Sequence, residues 1–98
     1  MVKHIILWKL KEEHNTDAIK SGIKKGLESL KGVIPGLLEI KVETSPLATS
    51  NADVMLYSVF EDETALKQYA VHPEHVKVAD NKVRPYTANR VCFDYQSN

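Results

Sequence analysis

The chain has 98 residues, 43% of them hydrophobic, with 13 basic side chains balancing 13 acidic ones. Such a length points to one globular domain, residues 1–98, that gains stability from a partner subunit, because a chain this short removes only about two-thirds of its unfolded surface from water. Zero formal charge, no basic run interleaved with aromatics, a single Cys92 and an apolar stretch of only Ile5 to Trp8 argue against nucleic acid, membrane and disulfide scaffolds, so the expected location is the reduced cytoplasm.

From Val2 to Leu10, His4, Ile6, Trp8 and Leu10 share one face, while Lys3, Ile5, Leu7 and Lys9 share the other. A strand with apolar residues on both sides belongs inside a sheet. After the polar Glu12-Glu13-His14-Asn15 turn, Thr16 or Asn15 can cap a helix whose Ile19, Ile23, Leu27 and Leu30 fall about one turn apart, ending near Gly32. Leu38, Ile40 and Val42 alternate with Glu39, Lys41 and Glu43, which marks a strand with one wet face, and Ser45 to Ala52 is its polar loop. Val54, Leu56 and Phe60 oppose Met55, Tyr57 and Val59 in a second two-faced strand. Asp62 can cap the next helix, in which Leu66, Tyr69 and Ala70 share a face. Pro73 then restarts the chain as a short helix ending before Arg84-Pro85, and Val91, Phe93 and Tyr95 form the last strand.

The order βαββαβ predicts an α+β, ferredoxin-like sandwich with the first and third strands central. Two helices can cover only one face of that sheet. Ile5, Leu7, Met55, Tyr57 and Val59 supply apolar side chains to the other, which predicts a homodimeric α+β barrel in which the chain's partner is a second copy of itself.

Chemistry concentrates between Tyr69 and His75, where two of the four histidines and a tyrosine accompany a helix break. Pro73 has no amide proton and suits the first turn of a new helix, so His72 reads as cap and hinge. His75 falls in that first turn, where the helix dipole favours neutral imidazole over imidazolium. A neutral imidazole can take a proton from a carbon acid or phenol, and Tyr69 can donate to a developing enolate oxygen. His4 shares its face with Ile6 and Trp8 and points at this pair if the helices cover that face. Gly22 and Gly26 lie on the side of the first helix that carries Ile19, Ile23 and Leu30, so something there needs room, either a ligand or Trp8.

Each residue also has a purely structural reading. His75 can bond a backbone carbonyl, His4 can be a satisfied core histidine, Tyr69 and Trp8 can be ordinary packing, and His14 sits amid polar neighbours. His72 and His75 at i, i+3, with His4, do not complete a metal set, because proline breaks their register. Cys92 shows no feature that would activate a nucleophile, and no phosphate-cradling glycine loop is present. Neither metal nor other cofactor is expected.

Val2-Lys3-His4, Val33-Ile34-Pro35-Gly36, Phe60-Glu61, Ala65-Leu66-Lys67-Gln68-Tyr69, His72-Pro73-Glu74-His75-Val76, Val83-Arg84-Pro85 and Phe93-Asp94-Tyr95 follow one another in an order that resembles the stress-responsive A/B barrel, or Dabb, family over nearly the whole chain. The resemblance implies a dimeric α+β barrel but no single activity, since the family spans stress-induced proteins and polyketide cyclases, and the fold is shared with cofactor-free monooxygenases. Against the cyclases, His75 matches the general base, Tyr69 the tyrosine that orients it or the substrate, and His4 a cavity histidine. Leu27 stands where they carry a tyrosine and Val54 where they carry a histidine, which removes two polar groups that recognise a phenolic substrate. The expected pocket thus comprises His75 and Tyr69 as catalytic pair with His4, Leu27, Val54, Trp8 and Gly26 around them.

Two readings of function follow. One is a small-molecule pocket with cofactor-independent acid–base activity of the cyclase, isomerase or monooxygenase type on an aromatic or polyketide-like compound. The other is a non-enzymatic dimer that binds a small apolar ligand or serves stress tolerance, with structural histidines. The space between His4, Tyr69 and His75 discriminates them.

Overall fold

In the computed structural model, which describes residues 1–97, the elements run β1 (Val2–Leu10), α1 (Asp17–Glu28), β2 (Leu37–Glu43), β3 (Val54–Phe60), α2 (Glu63–Val71), α3 (Pro73–Val78) and β4 (Thr87–Gln96). The sheet order is β2-β3-β1-β4, every neighbour antiparallel, which makes the two strands with apolar residues on both faces the central ones. The ferredoxin-like α+β sandwich expected from the element order is the observed fold. Among the described residues no helix is long and apolar enough to cross a membrane.

Local chemistry sets the boundaries. The Thr16 hydroxyl accepts from the Ile19 amide at 3.3 Å, and the Asp62 carboxylate accepts from the Ala65 amide at 2.8 Å, so each helix begins on a side-chain cap. His72 closes α2 and opens α3, its Nδ1 accepting from the Glu74 amide at 3.1 Å with Pro73 at the first helical position. Beyond α3 a π-helical turn (Ala79–Val83) and a 3-10 turn (Arg84–Tyr86) carry the chain into β4. The exposed edge of β2 is stoppered by α1: the Val42 amide donates to Glu28 at 2.9 Å, and the Val42 carbonyl accepts from Lys24 Nζ at 2.7 Å.

β2 departs from simple alternation. Leu37, not Leu38, faces the core with Ile40 and Val42, because the register with β3 shifts between Leu37 and Glu39 and turns Leu38 out to 42% exposure. An inserted residue in one strand reverses the sides on which its neighbours emerge.

The core lies between the helices and one sheet face, with Ile23, Leu27, Leu56 and Phe60 fully buried. The opposite face is uncovered: Leu7, Val91, Phe93 and Tyr95 are exposed at 39%, 61%, 65% and 38% beside Ile5, Met55 and Tyr57. Nor do the helices reach β4 on the core side, where Arg90, Cys92 and Asp94 stand exposed opposite Trp8, Ile6 and His4.

The glycines of α1 differ from expectation. A Cβ on Gly26 would sit 3.0 Å from Val78 Cγ1, so its missing side chain lets α1 approach α3, whereas a Cβ on Gly22 would meet nothing within 4 Å among the described residues. Gly36, by contrast, has φ +81° and a would-be Cβ only 2.5 Å from Ala65 Cβ. Gly22→Ala is therefore expected to stabilise the fold by up to about 1 kcal/mol through helix propensity. Gly36→Ala should cost about 2 kcal/mol or more, through left-handed strain and overlap with α2. Urea unfolding of the two variants, with opposite shifts of midpoint, checks both.

Candidate active site

Between α2, α3 and the core-side face of β1 lies a cavity of about 180 Å³. Its walls are apolar, with Trp8, Leu27 and Leu56 from the core, while His4, Tyr69 and His75 supply polar atoms and Arg84, Thr87 and Arg90 stand toward solvent at its rim. Of the residues singled out in the sequence, His75, Tyr69, His4, Leu27 and Trp8 thus converge on one space. Val54 and Gly26 do not line it: Val54 is buried in the core beside the loop after β2, and Gly26 serves the contact with Val78.

Tyr69 is placed by α2, one turn beyond Ala65, and both are buried against the sheet. Its ring centroid lies 4.0 Å from that of His75 at 33°, 4.9 Å from Phe60, and 6.1 Å from His4, the last nearly edge-on at 68°. The Tyr69 hydroxyl and His75 Nδ1 are buried with no protein hydrogen-bond partner among the described residues. Leaving such groups unpaired costs about 1–3 kcal/mol each.

Their environments drive the two groups apart in acidity. Burial pushes the Tyr69 phenol far above its ordinary value, against the opposing charge of Arg90, and keeps it a neutral donor. Burial depresses His75 below the usual 6.5, aided by Arg84 and His4 nearby, although the neighbouring backbone of Ala70 and Tyr69, too poorly aligned to count as a hydrogen-bond partner, acts the other way. The imidazole is neutral at pH 7.

A depressed His75 links stability to pH. Above the unfolded value near 6.5 neither state binds this proton and the stabilisation is complete, while below it the unfolded chain protonates first and stability falls. The melting temperature is expected to drop between about pH 7 and pH 5, and His75→Gln should flatten that slope. Parallel thermal melts of both proteins measure the difference.

On the opposite wall His4 Nδ1 is hydrogen-bonded to the Asp94 carboxylate, which sits across from it in the β1–β4 register. The His4 carbonyl in turn accepts from the buried Ser58 hydroxyl at 3.0 Å. Cys92 Sγ lies 3.7 Å from His4 Nδ1 and 3.4 Å from Asp94 Oδ1, and burial together with Asp94 raises its thiol, so it is no ready nucleophile. Asp94, Arg90, Arg84 and Thr87 escaped the sequence reading. The signal for part of this set was the alternation of β4: if Val91, Phe93 and Tyr95 share one face, Arg90, Cys92 and Asp94 must share the other.

The model of the Stress responsive A/B Barrel Domain (Dabb) family matches residues 2–97. The chain belongs to this family. The Dabb chain is 31% identical over 102 residues to a stress-response A/B barrel domain-containing protein of Arabidopsis thaliana, covering 97% of itself and 36% of that protein, and so spans about a third of that relative's length. A dimeric protein of unknown function with a ferredoxin-like fold from Bacteroides fragilis superposes with a TM-score of 0.88 at 30% identity, over 98% of this chain and 95% of the other. A hydroxynitrile lyase from Passiflora edulis superposes at 0.83 with 18% identity, over 99% and 93%, a likeness of fold alone.

Proposed function

We propose that this Dabb chain forms a homodimer whose cavity carries out cofactor-independent acid–base chemistry on a small aromatic carbonyl compound, with His75 as general base and Tyr69 as hydrogen-bond donor. The observation that carries this reading is the pair of buried polar atoms, Tyr69 hydroxyl and His75 Nδ1, that find no protein partner among the described residues beside a shared cavity. Their missing hydrogen bonds are to be supplied by what the cavity holds. Acidities set apart by environment assign the roles: a neutral imidazole that accepts, and a phenol that stays protonated and donates.

In the proposed step His75 removes a proton from the carbon next to the carbonyl, and charge moves onto the carbonyl oxygen, which Tyr69 stabilises. Return of the proton to the same or a neighbouring carbon completes an isomerisation or an exchange. His4, held by Asp94, lines the opposite wall, and Arg90 stands at the rim. A cavity of about 180 Å³ admits a single ring, since a space of about 150 Å³ suffices for benzene. The hydroxynitrile lyase neighbour is an enzyme on the same fold, but its 18% identity transfers no substrate.

The test is deuterium exchange at the α-carbon of single-ring aryl ketones in heavy water, followed by NMR beside thermal-shift binding. Accelerated exchange that disappears in His75→Ala supports the reading. Tight binding without exchange supports the non-enzymatic ligand-binding dimer instead.

A further inference from the structure

We infer that His4, Cys92 and Asp94 form a site for one divalent transition-metal ion, best matched to zinc, at the edge of the sheet where the cavity meets an open groove. Their ligating atoms all lie within 4.8 Å of one another. The antiparallel register assembles them: His4 on β1 faces Asp94 on β4, and Cys92, opposite Ile6, projects from the same face as Asp94.

The donor set is chemically coherent. Imidazole nitrogen, thiolate sulfur and carboxylate oxygen are the three protein ligand types zinc uses, and the two anions balance a divalent charge. With metal–ligand bonds of about 2.0–2.3 Å, tetrahedral ligand atoms stand about 3.3–3.6 Å apart. The Sγ distances of 3.7 Å to His4 Nδ1 and 3.4 Å to Asp94 Oδ1 are already close to that spacing. His4 Nδ1 and Asp94 are nearer than an ion between them allows, so the Asp94 carboxylate, 42% exposed, must swing outward. The ion takes the place of the proton between His4 Nδ1 and Asp94, His4 becoming a neutral ligand with its proton on Nε2, and Cys92 releases its thiol proton to water as the metal–sulfur bond forms.

Access is open. A groove of about 620 Å³ between α2 and β4 is lined by all three residues, and Cys92 and Asp94 are exposed in it. Three protein ligands leave one position for water or a ligand in that groove, the arrangement of an open rather than a closed zinc site. Arg90 and Lys67 also line the groove and oppose a cation, so affinity should fall short of that of four-ligand structural sites. The apolar side chains Val91 and Phe93 project from the other side of the sheet, away from Cys92 and Asp94.

Tag-free, reduced protein titrated with cobalt(II) tests the site by absorbance, with zinc as competitor. One equivalent is expected to bind at micromolar concentrations with a thiolate-to-metal charge-transfer band, and zinc should abolish the spectrum. Cys92→Ala, an exposed edge substitution, should remove the band with the circular dichroism unchanged, and Asp94→Asn should weaken binding about tenfold or more. His75→Ala should bind as the parent does, which separates this site from the acid–base reading. No saturable binding, or a spectrum that survives Cys92→Ala, overturns the assignment.

Discussion

Phe93→Asp is expected to convert the dimer to monomers. Phe93 is exposed at 65% midway along the edge strand β4, on a sheet face that also presents Val91, Tyr95 and Leu7, and Ile5 pairs directly beside it. Burying a phenylalanine side chain contributes about 1.5–3 kcal/mol, and a two-fold interface contains the residue twice. Losing both copies, even before the cost of burying carboxylates, amounts to about 3–6 kcal/mol, or about two to four orders of magnitude in dissociation constant. Sedimentation equilibrium should find the parent dimeric at micromolar concentration and the variant monomeric, with a lower melting temperature. Val71→Asp is the control. Val71 is 75% exposed but ends α2 on the other side of the sheet, so its substitution should leave the mass unchanged. A dimeric Phe93→Asp protein would place the interface elsewhere.

The Bacteroides fragilis neighbour is dimeric, and the sheet face that calls for a partner here was legible in the sequence. Alternation reports which side chains share a face, and β1 and β3 carry apolar residues on both, which fixes them as central strands before any coordinates are known. Caps were equally readable, because Thr16, Asp62 and His72-Pro73 act on amides two or three residues away. Leu38 was misplaced for a physical reason: a register shift depends on the partner strand, and β3 contributes nothing visible within the Leu37–Glu43 segment. The role of Gly26 was hidden in the same way. Its neighbour Val78 lies on a different helix, so periodicity along α1 could show only that space was needed.

The candidate site divides along the same line. Tyr69 and His75 are near in sequence, and α2 and α3 bring them into ring contact through a single proline-marked break. Asp94 meets His4 across 90 positions, by a strand register that no local pattern encodes. Val54 faces the core from a strand that borders the cavity only through Leu56, two residues farther on, so a family position can be aligned and still point at a different space.

His75→Ala is expected to lower the exchange rate by about 10² to 10⁴-fold, the range that a positioned general base contributes. The parent should retain full activity through neutrality and lose it only below pH 6.5, because the free base is the active form and burial holds its proton affinity low. Tyr69→Phe separates chemistry from stability. It removes a buried hydroxyl that has no protein partner among the described residues, so the fold should lose nothing and gain about 1 kcal/mol or less, while the reaction slows by about 10-fold or more for want of a donor to the developing oxyanion. A merely structural tyrosine would give the first effect without the second. Likewise, a His75 that serves only packing would lower the melting temperature in His75→Ala and leave exchange at the parent rate. The two variants measured together, each for unfolding midpoint and for exchange, therefore separate a base with its donor from a stacked aromatic pair.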